Sequence, residues 1–311
     1  MVSRMQREKS VKLSIVVAVY NHEKYVKQAI NSILEQEVNF EYEVLIGEDC
    51  STDKSREVLQ EIEKNCPSNF HFFYRETNYG AERNFRDLLS RMRGEYFIIL
   101  EGDDYWSYPL KLQKQVDYLE THPEYIECSH LVKVVDENSK IIDIEYPCCK
   151  DEEYSLSHFR RGILPGHTSC NLYRNFYKKP LIETSLLNVP FPAGDRQKAF
   201  TIACQGKIHC IQEYWSNYRY ITNGGDSFSA NNNWSIMKLF EVQNFYMEMI
   251  NFARKLGNKE GVLAAEELYY QALASEIVHT KKIKSVIKFI CKFCMCHNKL
   301  SVTRILVLKK R

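Results

Sequence analysis

Near the end of its first third, the chain reads Ile98-Ile-Leu-Glu-Gly-Asp-Asp-Tyr-Trp106. No polar residue interrupts the apolar run from Tyr96 to Leu100, which is typical of a strand buried on both faces of a parallel sheet. This run ends abruptly in Glu101-Gly-Asp-Asp104. Open α/β sheets bind their ligands at the carboxyl ends of strands, so we predict a ligand site here.

Three carboxylates fall within four residues at the end of this strand. Hard cations such as Mg²⁺ and Mn²⁺ bind clustered oxygen ligands, and one or two carboxylates suffice when a substrate phosphate supplies the rest. Gly102 between them would let a bulky ligand approach the backbone. An acidic turn without a ligand is the alternative interpretation of this stretch alone.

Predicted strands and helices alternate with short links through the first 120 residues. Apolar segments predict strands at residues 13–19, 42–46, 70–74 and 95–100, with helices at 23–36, around Val58 and at 81–92. This alternation predicts a parallel, doubly wound α/β sheet. The polar strand ends at Tyr20, Glu48 and Glu101 would then converge on one crevice, which suits a nucleotide with its metal. Beyond this part of the chain, the sequence predicts a helix at residues 109–119 with Leu112 facing the core, and a β-pair of residues 126–135 with 141–144.

Local patterns refine these elements. In the first helix, Val26, Ile30, Ile33 and Leu34 are predicted to face the core. Ser51 or Thr52 is the predicted cap of the second helix. The sequence has no Gly-x-Gly-x-x-Gly after the first strand and no Walker A lysine loop, which disfavours a dinucleotide dehydrogenase and a P-loop enzyme.

Composition and charge limit the class of protein. The 311 residues are 44% hydrophobic and 26% charged, as in an ordinary soluble globular protein. No segment resembles a signal peptide or a membrane span, and eleven scattered cysteines predict reduced thiols and a cytoplasmic setting. Ten Lys and Arg but no acid follow residue 276, leaving 32 basic against 40 acidic residues elsewhere. This asymmetry disfavours a general nucleic-acid binder.

Four ordered motifs resemble those of family 2 glycosyltransferases with the GT-A fold. They are Ser14-Ile-Val-Val-Ala-Val-Tyr-Asn21, Gly47-Glu-Asp-Cys-Ser-Thr-Asp53, Asn78-Tyr-Gly80 with Asn84, and Glu101-Gly-Asp-Asp104. The resemblance covers roughly residues 12–120 and weakens toward residue 225. It implies a GT-A type, doubly wound mixed sheet in residues 1–225, with a Rossmann-like nucleotide-sugar-binding half at 12–120 and an acceptor half at 121–225. A C-terminal helical extension would occupy residues 226–311.

The resemblance also implies which residues bind the donor. Tyr20 would pack near the base, and Glu48 and Asp49 stand at the family's paired acids, one of which binds base or ribose. The full implied donor-binding set is Val19, Tyr20, Asn21, Glu23, Glu48, Asp49, Arg83, Asn84, Glu101 and Gly102. Asp103 is the implied ligand of Mn²⁺ or Mg²⁺. Glu at positions 48 and 101 departs from the usual Asp, and at 101 the longer side chain could reach ribose or a metal-bound water instead.

The second half supplies the implied catalytic base. Gly194-Asp195 matches the family's acid at the start of a helix, although an ordinary N-cap is the alternative interpretation of Asp195. Asp104, His167 and Arg219 are further candidates. His167 lies in a predicted short strand at residues 166–174 that would face the acceptor, and Arg219 would hold a phosphate or form a structural ion pair.

Two amphipathic helices are predicted at residues 234–254 and 260–278, followed by a basic tail. The tail places apolar residues on one helical face and lysines on the other. Such a helix either binds an anionic membrane surface or docks on its own domain. A zinc site at Cys291, Cys294, Cys296 and His297 is disfavoured because no second ligand pair has the spacing of a zinc finger.

The resemblance, together with these residues, implies an inverting, metal-dependent glycosyltransferase of hexosyltransferase type. It would move a sugar from a nucleotide-sugar donor, with UDP as the expected nucleotide, to a hydroxyl of a glycan or lipid-linked acceptor in cell-surface polysaccharide synthesis. Its expected location is the cytoplasm, including the inner face of the plasma membrane. A sugar nucleotidyltransferase and a non-catalytic, membrane-docked sugar-binding protein are the alternatives. The sugar, the acceptor, the linkage and the oligomeric state do not follow from the sequence.

Overall fold

The computed structural model describes residues 10–190, 194–221 and 236–280, with positions 285 and 289. The chain divides into two compact units. The first contains Met1–Glu153, Pro165–Leu181 and Ile208–Asn231, and the second contains Tyr154–Leu164, Ile182–Lys207 and Asn232–Arg311. The predicted boundary after residue 225 lies outside the described residues, as does the basic tail apart from positions 285 and 289.

The first unit holds most of the strands. The strands in chain order are β1 (Leu13–Val19), β2 (Tyr42–Glu48), β3 (Phe70–Tyr74), β4 (Tyr96–Glu101), β5 (Tyr105–Trp106), β6 (Tyr125–Val135), β7 (Glu153–Tyr154), β8 (Leu172–Arg174) and β9 (Lys207–Arg219). The helices of this unit are α1 (Val26–Leu34), α2 (Ser55–Glu63), α3 (Ala81–Arg91) and α4 (Lys111–Thr121).

The sheet of the first unit is mixed. Its strands lie in the order β3-β2-β1-β4-β8-β6-β9-β5. β1 pairs in parallel with β2 and β4, and β3 pairs in parallel with β2. β8 is antiparallel to β4 and β6, and β5 is antiparallel to β9. The predicted α/β class and mixed sheet are confirmed, because the consecutive parallel strands β1, β2 and β3 are joined by the helices α1 and α2, while β8 and β5 pair in antiparallel fashion.

The central strands of the parallel half are buried. Residues 13–17 of β1 and 96–100 of β4 are all buried, as their near-continuous apolar sequences predict. α1 covers this sheet with Val26, Ile30 and Ile33. The prediction that Leu34 also faces the core is wrong. It is 40% exposed, because it is the last residue of α1 and lies at the edge of the apolar face, about 80° around the axis from Val26.

The cap of α2 differs from its prediction. Asp53 Oδ1, and neither Ser51 nor Thr52, accepts a hydrogen bond from the N–H of Ser55, at 2.9 Å. Ser51 Oγ instead accepts from the N–H of Asn21. The side chain predicted to start the helix therefore joins the loops after β1 and β2.

Two predicted strands after β6 are shorter than expected. The pairing of residues 141–144 with β6 is reduced to one bridge between Val135 and Ile141. Ile141 and Ile144 are exposed, so their alternation does not bury an apolar face. The predicted strand at residues 166–174 begins as a 3₁₀ turn, Thr168–Cys170, because the His167 ring accepts a hydrogen bond from the N–H of Ser169. Only β8 remains extended.

The second unit is helical. It contains α5 (Leu156–Arg160), α6 (Gly194–Ala203), α7 (Ile236–Lys255), α8 (Lys259–Thr280) and a 3₁₀ turn at Ser185–Asn188. α7 and α8 pack together across a turn in which Gly257 has a φ of +67°, the left-handed conformation that ends many helices. Predicted C-terminal helices are thus present. None of the described helices is long and apolar enough to cross a membrane.

Candidate functional site at the carboxyl edge of the sheet

The carboxyl ends of β1, β2 and β4 lie side by side at one edge of the sheet. Val19, the last residue of β1, is in register with Glu48. On the other side of β1, the N–H of Gly102 donates to the carbonyl of Ala18 at 3.0 Å. Three of the predicted motifs therefore meet at one edge, as the parallel pairing requires.

Gly102 packs directly against the imidazole of His22. A Cβ at position 102 would stand 2.6 Å from His22 Nδ1 and 3.1 Å from a methyl group of Val19. In this structure, the close approach that requires glycine is therefore made by His22. His22 Nδ1 is buried and has no hydrogen-bond partner among the described residues, while its Nε2 lies 3.8 Å from Asp103 Oδ2.

Asp104 is the most deeply buried acid of the motif. Its Oδ1 accepts a hydrogen bond from the backbone N–H of Arg219 at 2.9 Å. Its Oδ2 is buried and has no hydrogen-bond partner in the described part of the chain. Burial, with the nearby charges of Asp103 and Glu101, raises the pKa of Asp104 well above its ordinary value.

His167 enters the same site from the segment before β8. Its buried ring stacks on Tyr218 with centroids 4.2 Å apart, and Tyr146 packs against it edge-on at 5.1 Å. Its Nδ1 lies 3.1 Å from Ser169 Oγ. The ring is therefore held in one orientation by aromatic contacts and by a polar contact at Nδ1.

Glu101, Asp104 and His167 form one cluster, called here the acid–imidazole group. His167 Nδ1 lies 3.3 Å from Asp104 Oδ2, and Nε2 lies 3.9 Å from Glu101 Oε2. One possible ligand atom from each of the three residues lies within 4.8 Å of the other two. Asp103, the predicted metal ligand, belongs to the same turn but faces His22.

Arg219 fixes the backbone of this turn. Its buried guanidinium donates through Nε to the carbonyl of Asp103 at 2.9 Å and through Nη1 to the carbonyl of Asp136 at 2.9 Å. Nη2 donates to Gln28 Oε1 at 2.8 Å, and the group lies 4.3 Å from the ring centroid of Tyr25. The donors of Arg219 are therefore directed at protein acceptors in several elements.

The paired acids after β2 are placed at the predicted edge and are both hydrogen-bonded. Glu48 is fully buried, and it accepts from the N–H of Ser51 and from Arg56 Nε, each at 2.6 Å. Asp49 Oδ1 accepts from the N–H of Tyr79 at 2.7 Å. These contacts fix the loop after β2 and the turn before α3.

The start of α3 is attached to the end of β2. Asn84 donates through Nδ2 to the carbonyl of Gly47 at 3.0 Å and accepts at Oδ1 from Arg75 Nε at 3.1 Å. The guanidinium of Arg83 lies 3.9 Å from the ring centroid of Tyr79. Both predicted residues of this helix therefore lie beside the paired-acid loop.

The loop after β1 is joined to the loop after β2. Asn21 has a φ of +56°, and its Oδ1 accepts from the N–H of Thr52 at 2.9 Å. Glu23 Oε2 accepts from the N–H of Lys54 at 2.9 Å. Tyr20, the residue after β1, is partly exposed. Asn21 and Glu23 thus have structural partners of their own.

Asp195 belongs to the second unit. It is the second residue of α6, is partly buried, and accepts a hydrogen bond at Oδ1 from the N–H of Arg196 at 2.7 Å. An acid in the first turn is favoured by the positive end of the helix dipole.

Sequence comparison decides the family of the chain. A profile of glycosyl transferase family 2 matches residues 14–176, which is about half of the chain. The chain belongs to glycosyl transferase family 2. An uncharacterized protein of Mycobacterium tuberculosis is 40% identical over 164 residues, covering 53% of this chain and 44% of that protein. The chain thus matches less than half of this family relative's length.

Staphylococcus aureus TarS, a poly(ribitol-phosphate) beta-N-acetylglucosaminyltransferase, is 32% identical over 97 residues, covering 30% of this chain and 17% of TarS. The crystal structure of TarS residues 1–349 in complex with UDP-GlcNAc superposes with a TM-score of 0.62. That match has 18% identity and covers 90% of this chain and 79% of the TarS chain. The likeness confirms the predicted GT-A fold of this family 2 member.

Family 2 membership raises the question whether the site fits a divalent cation. The acid–imidazole group offers two carboxylates and one imidazole, which are ordinary ligands of divalent ions. The buried Asp104 Oδ2, without a hydrogen-bond partner among the described residues, is the kind of polar atom that a cation or its ligands would satisfy. The acid–imidazole group therefore fits a divalent cation. The assignment of Asp103 as a metal ligand stays a prediction.

The sequence prediction omits three residues of the site. His22 had a signal, because it directly follows the Tyr-Asn pair of the first motif and thus the end of β1. Tyr146 had no signal, whereas Tyr218 also had one, because it directly precedes the candidate Arg219. They contact His167 from a loop and from β9, both far away in sequence.

Proposed function

We propose that this family 2 member is an inverting, metal-dependent glycosyltransferase that uses a nucleotide-sugar donor, with UDP as its nucleotide. The observation that carries the proposal is the acid–imidazole group at the carboxyl edge of a parallel sheet, where the loops after β1 and β2 also end. Carboxylates and an imidazole at such an edge suit a divalent cation bound to a diphosphate.

The first unit would bind the donor. Asp103 and Glu101, with His167 beside them, would hold Mn²⁺ or Mg²⁺, and the ion would supply charge neutralisation for a departing diphosphate. The loop with Asp49 and the Tyr79–Arg83 pair would receive the nucleoside. The many hydrogen bonds among these loops support the proposal, because a preorganised site loses less conformational entropy on binding.

Asp195 would act as the general base. In the proposed reaction, the acceptor hydroxyl oxygen forms a bond to the anomeric carbon while the bond from that carbon to the diphosphate oxygen breaks. The hydroxyl proton passes to the Asp195 carboxylate. Attack from the face opposite the leaving group inverts the anomeric centre.

The proposed acceptor is a hydroxyl of a glycan or of a lipid-linked oligosaccharide, in cell-surface polysaccharide synthesis. Support comes from the relative TarS, whose name describes transfer to poly(ribitol phosphate). The basic C-terminal sequence supports a cytoplasmic protein that contacts the inner face of the plasma membrane.

A panel of nucleotide sugars tests the proposed function. The protein is incubated with each donor and Mn²⁺, and released nucleoside diphosphate and pyrophosphate are measured separately. Nucleoside diphosphate released from at least one UDP-sugar supports the transferase. A parallel incubation with UTP, a sugar 1-phosphate and Mn²⁺ tests the alternative enzyme, because a nucleotidyltransferase joins the two substrates and releases pyrophosphate from UTP. Donor binding without product in either incubation would indicate a sugar-binding protein.

A further inference from the structure

We propose that His167 is a direct ligand of the divalent cation through its Nε2 atom. This inference rests on the proposed function, since it concerns the cation of the same donor site. It adds a nitrogen ligand from outside the Glu101-Gly-Asp-Asp104 motif, whose side chains offer only oxygen atoms. The ligand comes from a 3₁₀ turn some sixty residues farther along the chain.

The distance between His167 and Glu101 suits a shared ion. Nε2 of His167 lies 3.9 Å from Oε2 of Glu101, which is too long for a hydrogen bond. Two ligand atoms with bonds of about 2.1 Å to one ion lie at most roughly 4.2 Å apart. A cation between these two atoms therefore needs little rearrangement of either side chain.

The imidazole is oriented for this role by contacts at its other nitrogen. Nδ1 lies 3.3 Å from Asp104 Oδ2 and 3.1 Å from Ser169 Oγ. In this structure Nδ1 accepts a hydrogen bond from the N–H of Ser169 at 3.4 Å, so binding of a cation at Nε2 requires the ring proton to be on Nδ1, where Asp104 Oδ2 can accept it. Histidines that bind metals commonly have a carboxylate at the nitrogen that does not bind, which fixes the ring and raises its basicity. Asp104 is 1% exposed, so its carboxylate faces the protein and not solvent. Asp104 is thus a positioning residue for His167.

A nitrogen ligand has consequences for metal preference. Mg²⁺ prefers oxygen ligands and keeps several waters, whereas later first-row ions such as Co²⁺ bind nitrogen-containing sites more tightly. The wild-type protein is therefore expected to bind Co²⁺ more tightly than Mg²⁺, and this difference depends on His167.

Pulsed EPR of the full chain loaded with Mn²⁺ and UDP tests the ligand directly. The expected spectrum contains a ¹⁴N coupling from bound imidazole, replaced by ¹⁵N coupling when histidine is isotopically labelled. The coupling disappears in His167→Gln. His209→Gln is the matched control, because His209 belongs to the same unit but stacks on Tyr118, and it should leave the coupling unchanged.

A metal titration separates a ligand from a merely structural histidine. His167→Gln is expected to weaken Co²⁺ binding by more than the roughly 10- to 100-fold that loss of an outer-shell partner costs, and to weaken Mg²⁺ binding by clearly less. Equal losses for the two ions would overturn the inference. A wild-type spectrum without histidine coupling, or without bound Mn²⁺, overturns it even if His167→Gln does not fold.

The two proposals fail in different ways. Nucleoside diphosphate release with no nitrogen coupling refutes the ligand and leaves the transferase intact. Nitrogen coupling without release from any donor refutes the transferase, while His167 remains a metal ligand.

Discussion

At the scale of single residues, His22 and Gly102 depend on each other. Gly102→Ala would place a methyl group 2.6 Å from His22 Nδ1. Overpacking of this kind costs about 1–3 kcal/mol, so we expect the free energy of unfolding to fall by that amount. Urea unfolding of the variant and of the wild type measures it.

The control for this prediction is the same substitution without the imidazole. In a His22→Ala background, Gly102→Ala should cost less, because the nearest obstructing atom is gone while the Val19 methyl remains. An equal loss of unfolding free energy in both backgrounds would mean that contact with His22 is not the reason for glycine at position 102.

Substitutions of Asp195 and of Asp103 are predicted to impair different steps, turnover in the first case and also UDP binding in the second. Asp195→Asn should keep Mn²⁺-dependent UDP binding and lower turnover by about 10²- to 10⁴-fold, the usual contribution of a general base. Asp103→Asn should also weaken UDP binding, because it removes a proposed metal ligand. Calorimetry and turnover assays on both variants distinguish the two roles. Near-normal turnover of Asp195→Asn would assign the base to another residue.

At the scale of elements, α4 begins with a lysine inside the core. Lys111 is fully buried, donates to Gln115 Oε1 at 2.7 Å, and lies 4.5 Å from the ring centroid of Trp106. Burial lowers its pKa from 10.5 to about 7, although the nearby Cys170 and Cys128 oppose part of this shift. In the sequence, Lys111 directly precedes Leu112 in a helix predicted to face the core. No feature of the sequence indicates that Lys111 itself is buried.

The buried lysine predicts a pH dependence of stability. Between about pH 7 and 10.5 the unfolded chain binds a proton at Lys111 that the folded chain does not, so the free energy of unfolding rises with pH. The slope is at most about 1.4 kcal/mol per pH unit. Lys111→Met should flatten this rise and stabilise the protein most at pH 7. Urea unfolding at pH 7.0, 7.75 and 8.5 checks it.

Lys114→Met is the matched control, since Lys114 is an exposed lysine on the same helix. Its stability should follow the wild type at each pH. The pKa values of the buried thiols Cys128 and Cys170 are also raised. Because the wild type and both variants contain these thiols, comparison with the wild type removes their contribution to the pH dependence of stability. A parallel pH profile for Lys111→Met and the wild type would contradict the assigned pKa.

At the scale of the whole molecule, the parallel half of the sheet was predictable because each of its strands has a recognisable local sequence pattern. A strand that is buried on both faces, such as residues 13–17, can be recognised from its nearly continuous apolar sequence. The antiparallel part was less predictable. Residues 141–144 have the strand pattern but only one bridge, and the segment before β8 turns at His167 because of a ring hydrogen bond.

The site was predictable only where its residues follow strand ends. Glu48, Glu101 and Val19 meet because parallel register places them at one edge. The role of His167 depends on contacts with Asp104 and Tyr218, which lie far away in sequence. No periodicity or spacing encodes such contacts, so the prediction could name His167 without giving it a chemical role.

The central claim is that acids from separate strands, with His167, gather a cation that binds a nucleotide diphosphate. Calorimetric titration of the full chain with UDP, in Mn²⁺ and in EDTA, tests it most directly. The account predicts that UDP binds in Mn²⁺ and that its affinity falls at least about 10-fold in EDTA, as expected when a metal neutralises the diphosphate. Equal affinity in Mn²⁺ and EDTA, or no UDP binding in either, would contradict it.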